Sequence, residues 1–324
     1  MTVPVHPQAR QILDGRAAAG LPPTWEQTPS QVRASFAATR ELIGPGPAVA
    51  SARDIVIPGG TGGTGIPARV YTPAGASAGI VVYFHGGGWV IGSVDDWDAC
   101  CRALAVASGC RLVSVDYRLA PEHRFPAAAD DAYEALTWVS GASQLTGAGP
   151  LIVAGDSAGG NLAAVCAQRA RDTGGPDLVL QVLIYPVTDH DLDRPSYRSF
   201  GGNEFIVNQR DMAWFWDHYV PSVADRDDPY ASPLRAASLS GLPPAYIVTA
   251  EHDPLRDEGF AYADRLRAAR VPVQQRHYGS QIHGFFTLVN VLDDADKAVA
   301  DAGASIRAAA GGAVHGSDRV TQVA

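Results

Sequence analysis

The sequence predicts an α/β protein: a mostly parallel eight-stranded sheet flanked by helices, with a helical cap. Three observations carry that expectation. Short apolar runs recur along the chain, and helical patterns separate the later ones, which is the rhythm of parallel strands covered on both faces. One run, Leu151–Ala154, feeds through Gly155-Asp156-Ser157-Ala158-Gly159 into a stretch of good helix formers from Asn161 onward. The rhythm is missing before the first strand and between Tyr185 and Ala245, where the sequence is helical and in part aromatic.

Taken in order, residues 1–45 are expected to be helical and to form the N-terminal part of the cap. Ala9–Ala19 sets Ile12 and Leu13 on a helix-forming background. Thr28-Pro29-Ser30-Gln31 reads as a capping box with proline at the first helical position, opening a helix with Val32, Phe36, Leu42 and Ile43. Residues 46–187 are the first part of the core. Its strands are expected at Arg53–Ile57, Ala68–Thr72, Ile80–Phe84, Arg111–Tyr117, Leu151–Ala154 and Val179–Tyr185. The glycine-rich Gly59–Gly65 formally contains G-x-G-x-x-G at Gly60, Gly62 and Gly65. A dinucleotide fingerprint must open a helix, but the next segment, Ile66-Pro67-Ala68-Arg69-Val70, is extended, so the stretch reads as a hairpin loop. Residues 188–230 are a cap insertion carrying the aromatic helix Met212–Tyr219. Residues 231–312 complete the core, with strands Ala245–Ala250 and Pro272–Tyr278 and a helix over Phe260–Ala269. The polar residues 313–324 are expected to be a loose tail.

The chain has 324 residues, 46% hydrophobic, and a formal net charge of −9. The absence of a basic run argues against nucleic acid as a partner. No apolar stretch reaches the roughly 18 residues a membrane span needs. The N-terminus shows no charged segment leading into an apolar one, so no signal peptide is expected. Cys100, Cys101, Cys110 and Cys166 form no C-x-x-C pair and lie in apolar surroundings, which suits reduced core thiols in a cytoplasmic protein. Asp189-His190-Asp191-Leu192-Asp193 has no second histidine nearby and reads as a solvated acidic turn, with His190 at most grazing a pocket. No metal and no cofactor are expected.

The chemistry starts at Ser157. A serine forced onto a tight strand-to-helix turn needs small neighbours two positions away on each side, here Gly155 and Gly159, and stands exposed above the sheet edge. Serine is a poor nucleophile at neutral pH and needs a base. In an open α/β sheet the crevice lies at the carboxyl ends of the strands, so the acid and the histidine should follow the two remaining strands. His283 is the expected base. Asp253 is the favoured acid, with Glu251 and Asp257 as competitors. Attack on a carbonyl needs donors aimed at the oxyanion, and His85-Gly86-Gly87-Gly88-Trp89 ends the third strand. The N–H groups of Gly87, Gly88 and Ala158 are the expected donors, and His85 is expected to shape the loop. Trp89, Asp156, Trp214, Phe215 and Phe285 are expected along the substrate pocket, while Trp216 and Tyr219 pack the cap. His218 and His277 are expected to be structural.

Together, His85–Trp89, Asp116-Tyr117-Arg118-Leu119-Ala120-Pro121-Glu122, Gly155–Leu162, Tyr185-Pro186, Asp253-Pro254-Leu255-Arg256-Asp257 and His283-Gly284-Phe285 resemble the hormone-sensitive-lipase-like carboxylesterases of the α/β-hydrolase fold. The resemblance spans roughly residues 30–310. It implies the triad Ser157, Asp253 and His283, the donors Gly87, Gly88 and Ala158, and a cap built from the N-terminal helices and the insertion. It also settles the acid as Asp253. Gly279 departs from the family, which often has proline there. The implied activity is hydrolysis of small short- to medium-chain carboxylic esters through an acyl-enzyme. Amide, carbamate or lactone hydrolysis is the alternative use of the same triad. A hormone receptor of this fold in plants lacks the triad histidine, whereas His283 is present here. A homodimer paired through the edge strand Pro272–Tyr278 remains an open option.

Overall fold

The computed structural model describes residues 3–60, 63, 65–75, 77–142, 149–312 and 319–323. Gly62 of the glycine-rich loop lies outside the described residues. The strands are β1 (Ser51–Ile57), β2 (Ile66–Thr72), β3 (Ile80–Phe84), β4 (Arg111–Val115), β5 (Leu151–Asp156), β6 (Leu178–Ile184), β7 (Ala245–His252), β8 (Val273–Ile282) and β9 (Arg319–Val323). They form one sheet in the order β1-β2-β4-β3-β5-β6-β7-β8-β9. β2 pairs antiparallel with β1 and with β4, and every other pairing is parallel. β1 and β2 are joined as a hairpin, as the extended segment after the glycines requires. β3 and β5 are buried along their whole length, which is why they read as unbroken apolar runs.

Two expectations are corrected here. The sheet has nine strands rather than eight, and residues 319–323 are not part of a loose tail: they pair in parallel with Gln274–Tyr278 of β8. Three β-branched residues in Arg319-Val320-Thr321-Gln322-Val323 supply the strand propensity, and Val323 is buried. Residues 313–318 lie outside the described residues. In consequence the edge of β8 is already covered by β9, so it is not the open edge proposed for a homodimer.

Helices cover both faces. α5 (Ala127–Gly141), α6 (Ala158–Thr173) and α9 (Arg256–Ala268) close one core, and α4 (Asp98–Ser108) and α10 (Asp293–Ala310) the other. All four cysteines are free and buried in these cores. Among the described residues, no helix is long and apolar enough to cross a membrane.

The N-terminal segment contributes α1 (Pro7–Ala19), α2 (Pro29–Ala37) and α3 (Arg40–Ile43). The capping box forms as expected: Gln31 Oε1 accepts the Thr28 N–H at 2.9 Å, and the Thr28 hydroxyl accepts the Gln31 N–H. The insertion contributes α7 (Pro195–Phe200) and α8 (Gln209–Tyr219). A second capping box, Asn208 with Asp211, opens α8. Met212, Phe215, Trp216 and Tyr219 make its buried stripe. The two segments meet where the Arg210 guanidinium lies over the Trp25 ring, 5.4 Å from its centre. At the root of the insertion Asp189 pairs with Arg194 at 2.5 Å and Arg235 at 2.7 Å, so this acid serves as an anchor between arginines.

The strand order reverses at β3, with β4 on one side and β5 on the other. That reversal leaves a crevice at the carboxyl ends of β3 and β5. The loops leaving these two strands carry Gly87, Gly88 and Ser157.

Candidate active site

Ser157 sits between β5 and α6 with φ 54° and ψ −118°, a left-handed conformation that a serine adopts only under constraint. Its N–H donates to the Ile184 carbonyl at 2.8 Å, and its carbonyl accepts from Asn161 and Val187. The flanking glycines are required by space. A Cβ on Gly155 would strike the Gly159 carbonyl, and one on Gly159 would strike the Phe84 carbonyl.

β7 and β8 deliver the other two groups. His283 Nε2 lies 3.1 Å from Ser157 Oγ, and His283 Nδ1 lies 2.8 Å from Asp253 Oδ2. Asp253 is fully buried, and its other oxygen accepts the Leu255 N–H at 2.8 Å. The competing acids are engaged elsewhere. Glu251 holds His277 at 3.1 Å and Arg256 at 2.6 Å, and Asp257 accepts the Ser196 N–H at 2.8 Å. Tyr185, itself at φ 34°, places its ring 4.6 Å from the His283 ring. The sequence had marked Tyr185 only as part of a motif.

The glycine loop is shaped by Gly87 at φ 100° and Gly88 at φ 57°. The Gly87 carbonyl accepts from Val90 and Ile91, which closes the turn. Among the described residues the Gly87 and Gly88 N–H groups donate to no protein acceptor. Ala158 opens α6, where an N–H has no partner inside the helix. A Cβ on Gly88 would enter the Phe215 ring.

Two supports for this loop were not foreseen. Asp156 Oδ1 accepts from the Tyr83 hydroxyl, the Trp97 indole and the Gly86 N–H, at 2.7, 2.8 and 3.0 Å. Burial pushes the Asp156 carboxyl up to about 6, against the pull of these donors. From α2, Arg33 donates to the carbonyls of Val90 and Ala120 and pairs with both oxygens of Glu122. That hydrogen-bonded guanidinium holds Glu122 down to about 2. His85 stacks on Tyr117 with ring centres 4.4 Å apart, and burial lowers its pKa, so it shapes the loop as a neutral ring.

A cavity of about 460 Å³ opens onto Ser157, His283, Gly87 and Gly88 and is also lined by the N-terminal segment and the insertion, through residues such as Leu13, Phe36, Phe205 and Met212. Asp156 and Phe215 line it as expected. Trp89, Trp214 and Phe285 do not, for identifiable reasons. Trp89 is fully buried between Trp216 and Tyr219, at ring distances of 4.9 and 4.3 Å. Trp214 falls off the buried stripe of α8 and packs on Phe215 and His218. Phe285 is fully buried against Tyr185 and Tyr278. His190 is also absent from the wall, being paired with Asp227 at 2.8 Å.

A hydroxyl beside an oriented imidazole, with free N–H groups nearby and a cavity for an apolar group, is an arrangement suited to acyl transfer. The comparisons with known proteins agree with this. A family described by the α/β hydrolase fold matches residues 81–287. The carboxylic ester hydrolase LipN of Mycobacterium tuberculosis is 49% identical over 254 residues, 75% of this chain and 67% of that protein. The carboxylesterase NlhH of the same species is 46% identical over 242 residues, 72% of this chain and 76% of its own. The solved hyperthermophilic esterase of Pyrobaculum calidifontis superposes with a TM-score of 0.88 at 43% identity, over 94% of this chain and 99% of the other. The chain belongs to the α/β-hydrolase family, in its hormone-sensitive-lipase-like carboxylesterase branch.

Proposed function

We infer that the protein is a serine carboxylesterase acting on small esters of short acids, with Ser157, His283 and Asp253 as its triad. Carboxylic ester hydrolysis is its activity. The observation that carries the residue roles is the unbroken chain Ser157–His283–Asp253 opening into a cavity beside unengaged backbone donors. Ser157 Oγ attacks the ester carbonyl as its proton passes to His283 Nε2. The oxyanion is held by the N–H groups of Gly87, Gly88 and Ala158, and buried Asp253 stabilises the imidazolium through Nδ1. The tetrahedral species collapses, and the alcohol leaves with the proton from Nε2. Water then attacks the acyl-Ser157 ester, giving its proton to the same nitrogen, and the second tetrahedral species collapses as Ser157 Oγ takes that proton back and the acid is released.

Residues 1–45 and 188–230 act as the cap that selects the substrate, a reading supported by their residues on the cavity wall. The cytoplasm is the proposed compartment, supported by four free, buried cysteines. A homodimer would have to use a surface other than the β8 edge.

The test is labelling with a serine-directed organophosphonate, read by peptide mass spectrometry, beside an ester panel that includes an acetyl-amide, a carbamate and a lactone. One adduct on Ser157 with loss of esterase activity is expected. An adduct at another serine, or esterase activity surviving full labelling, overturns the assignment.

A further inference from the structure

We propose that Arg16 is a specificity-determining residue that receives a carboxylate, so that the preferred substrates are esters with a carboxylate on the arm remote from the reacting carbonyl. The proposal rests on the ester-hydrolase reading above. Arg16 lies in the last turn of α1 and lines the same cavity as Ser157 and His283. Arg33 and Arg118, by contrast, are committed to Glu122 and Asp131. Among the described residues the Arg16 guanidinium has no hydrogen bond and no ion pair. Arg16 is exposed, and the protein packed beside it still lowers its pKa, against the pull of Asp211 through space. The same cavity wall carries apolar side chains, among them Leu13, Leu21 and Phe36, beside polar ones such as Thr24 and Asp211. A guanidinium on the cavity wall with unused donors is complemented by a planar two-oxygen acceptor.

The acids on the wall define where that anion goes. Asp156 adjoins Ser157 and repels a carboxylate from the reaction centre. Asp211 is buried, its Oδ1 shut off from solvent and its Oδ2 held by the Asn208 N–H at 3.2 Å. Glu204 is exposed at the rim. The site for an anion is therefore local to Arg16, and the ester end of the substrate is left facing Ser157. A purely structural Arg16, acting as a cation at the α1 C-terminus, would affect stability and leave substrate preference alone.

The experiment compares kcat/KM for monoethyl adipate, with its carboxylate on the acyl arm, and for 6-acetoxyhexanoate, with its carboxylate on the alcohol arm. Each is referred to its neutral ethyl ester. The anionic-to-neutral ratio for at least one pair should fall about tenfold in Arg16→Gln, mainly through KM, the scale of one charge-assisted contact. Arg16→Lys, which keeps the charge, should retain part of it, and adipate should inhibit the wild type more strongly than Arg16→Gln. Ratios unchanged by Arg16→Gln for both pairs overturn the proposal, with or without a shift in Tm. Failure of the wild type to hydrolyse any neutral ester, p-nitrophenyl acetate included, would instead remove the ester-hydrolase reading beneath it.

Discussion

Asp156 Oδ1 accepts the Gly86 N–H at 3.0 Å, and so ties the turn that presents Ser157 to the loop that presents Gly87 and Gly88. Ser157 and the Gly87–Gly88 turn belong to different strand ends, and one buried carboxylate joins them. Asp156→Ala would leave the Tyr83, Trp97 and Gly86 donors without their acceptor, at about 1–3 kcal/mol for a buried group left bare. A Tm lower by several degrees is expected, with kcat falling at least ~10-fold and KM moving less. Asp156→Asn keeps an oxygen in place and should recover most of the stability. Thermal unfolding and steady-state kinetics read both effects. An alanine variant as stable and as fast as the wild type would show that the tie is dispensable.

Asp156 and Asp211 are both pushed up to about 6, burial being the largest cause in each. Their ordinary value is 3.8. The native state therefore binds more protons than the unfolded chain between these limits. The stability each group contributes is fully present below the ordinary value and is lost as pH rises through about 6. Asp211→Asn abolishes that loss. Relative to wild type, the variant should gain stability between pH ~4 and pH ~7.5, by on the order of 2–3 kcal/mol. Urea unfolding at the two pH values measures it. A difference that stays flat with pH would show that the Asp211 carboxyl is not perturbed.

Asp253 and Glu251 lie two residues apart, and only Asp253 meets His283. Asp253→Asn should cut kcat by roughly 10⁴-fold with little change in KM, because the amide favours the wrong imidazole tautomer. Glu251→Gln loosens its contacts with His277 and Arg256 and should cost far less. Should Glu251→Gln prove the more damaging of the two, the acid has been misassigned.

The pattern of success between sequence and structure follows from where the information resides. Ser157, Asp253 and His283 were legible because strand ends are local features and the sheet brings their loops to one side. The buried strands β3 and β5 were legible as apolar runs for the same reason. The pocket was less so. Trp89 and Phe285 look like wall residues in sequence, but their placement depends on which neighbours fill the core around them. Trp214 could have been excluded, since a period of 3.6 through Met212, Phe215, Trp216 and Tyr219 leaves it off the stripe. β9 was hidden by the polar stretch before it, although three β-branched residues in five were a signal. Nothing in sequence distinguishes Arg16 from any other helix-end arginine, because its lack of a partner among the described residues is a tertiary property.

The last prediction concerns acyl length. The cavity of about 460 Å³ is closed above Ser157 by α8, where Phe215 sits against Gly88 and Met212 adds to the wall. Each methylene buried there adds about 0.8 kcal/mol of binding, so kcat/KM should climb with chain length while space remains. Once the acyl arm meets Phe215 and the cap, a further methylene has to displace large side chains or protrude into water, and the gain stops. A lipase acting at a droplet needs an exposed apolar face, and a formal net charge of −9 disfavours approach to an anionic interface. The best substrates should therefore be soluble esters of acids from acetyl to about hexanoyl, with long-chain triglycerides nearly inert. A p-nitrophenyl ester series run beside a triolein emulsion measures this. A maximum at dodecanoyl or longer, or a jump in rate when the substrate forms an interface, would mean that the cap opens far wider than the described cavity allows.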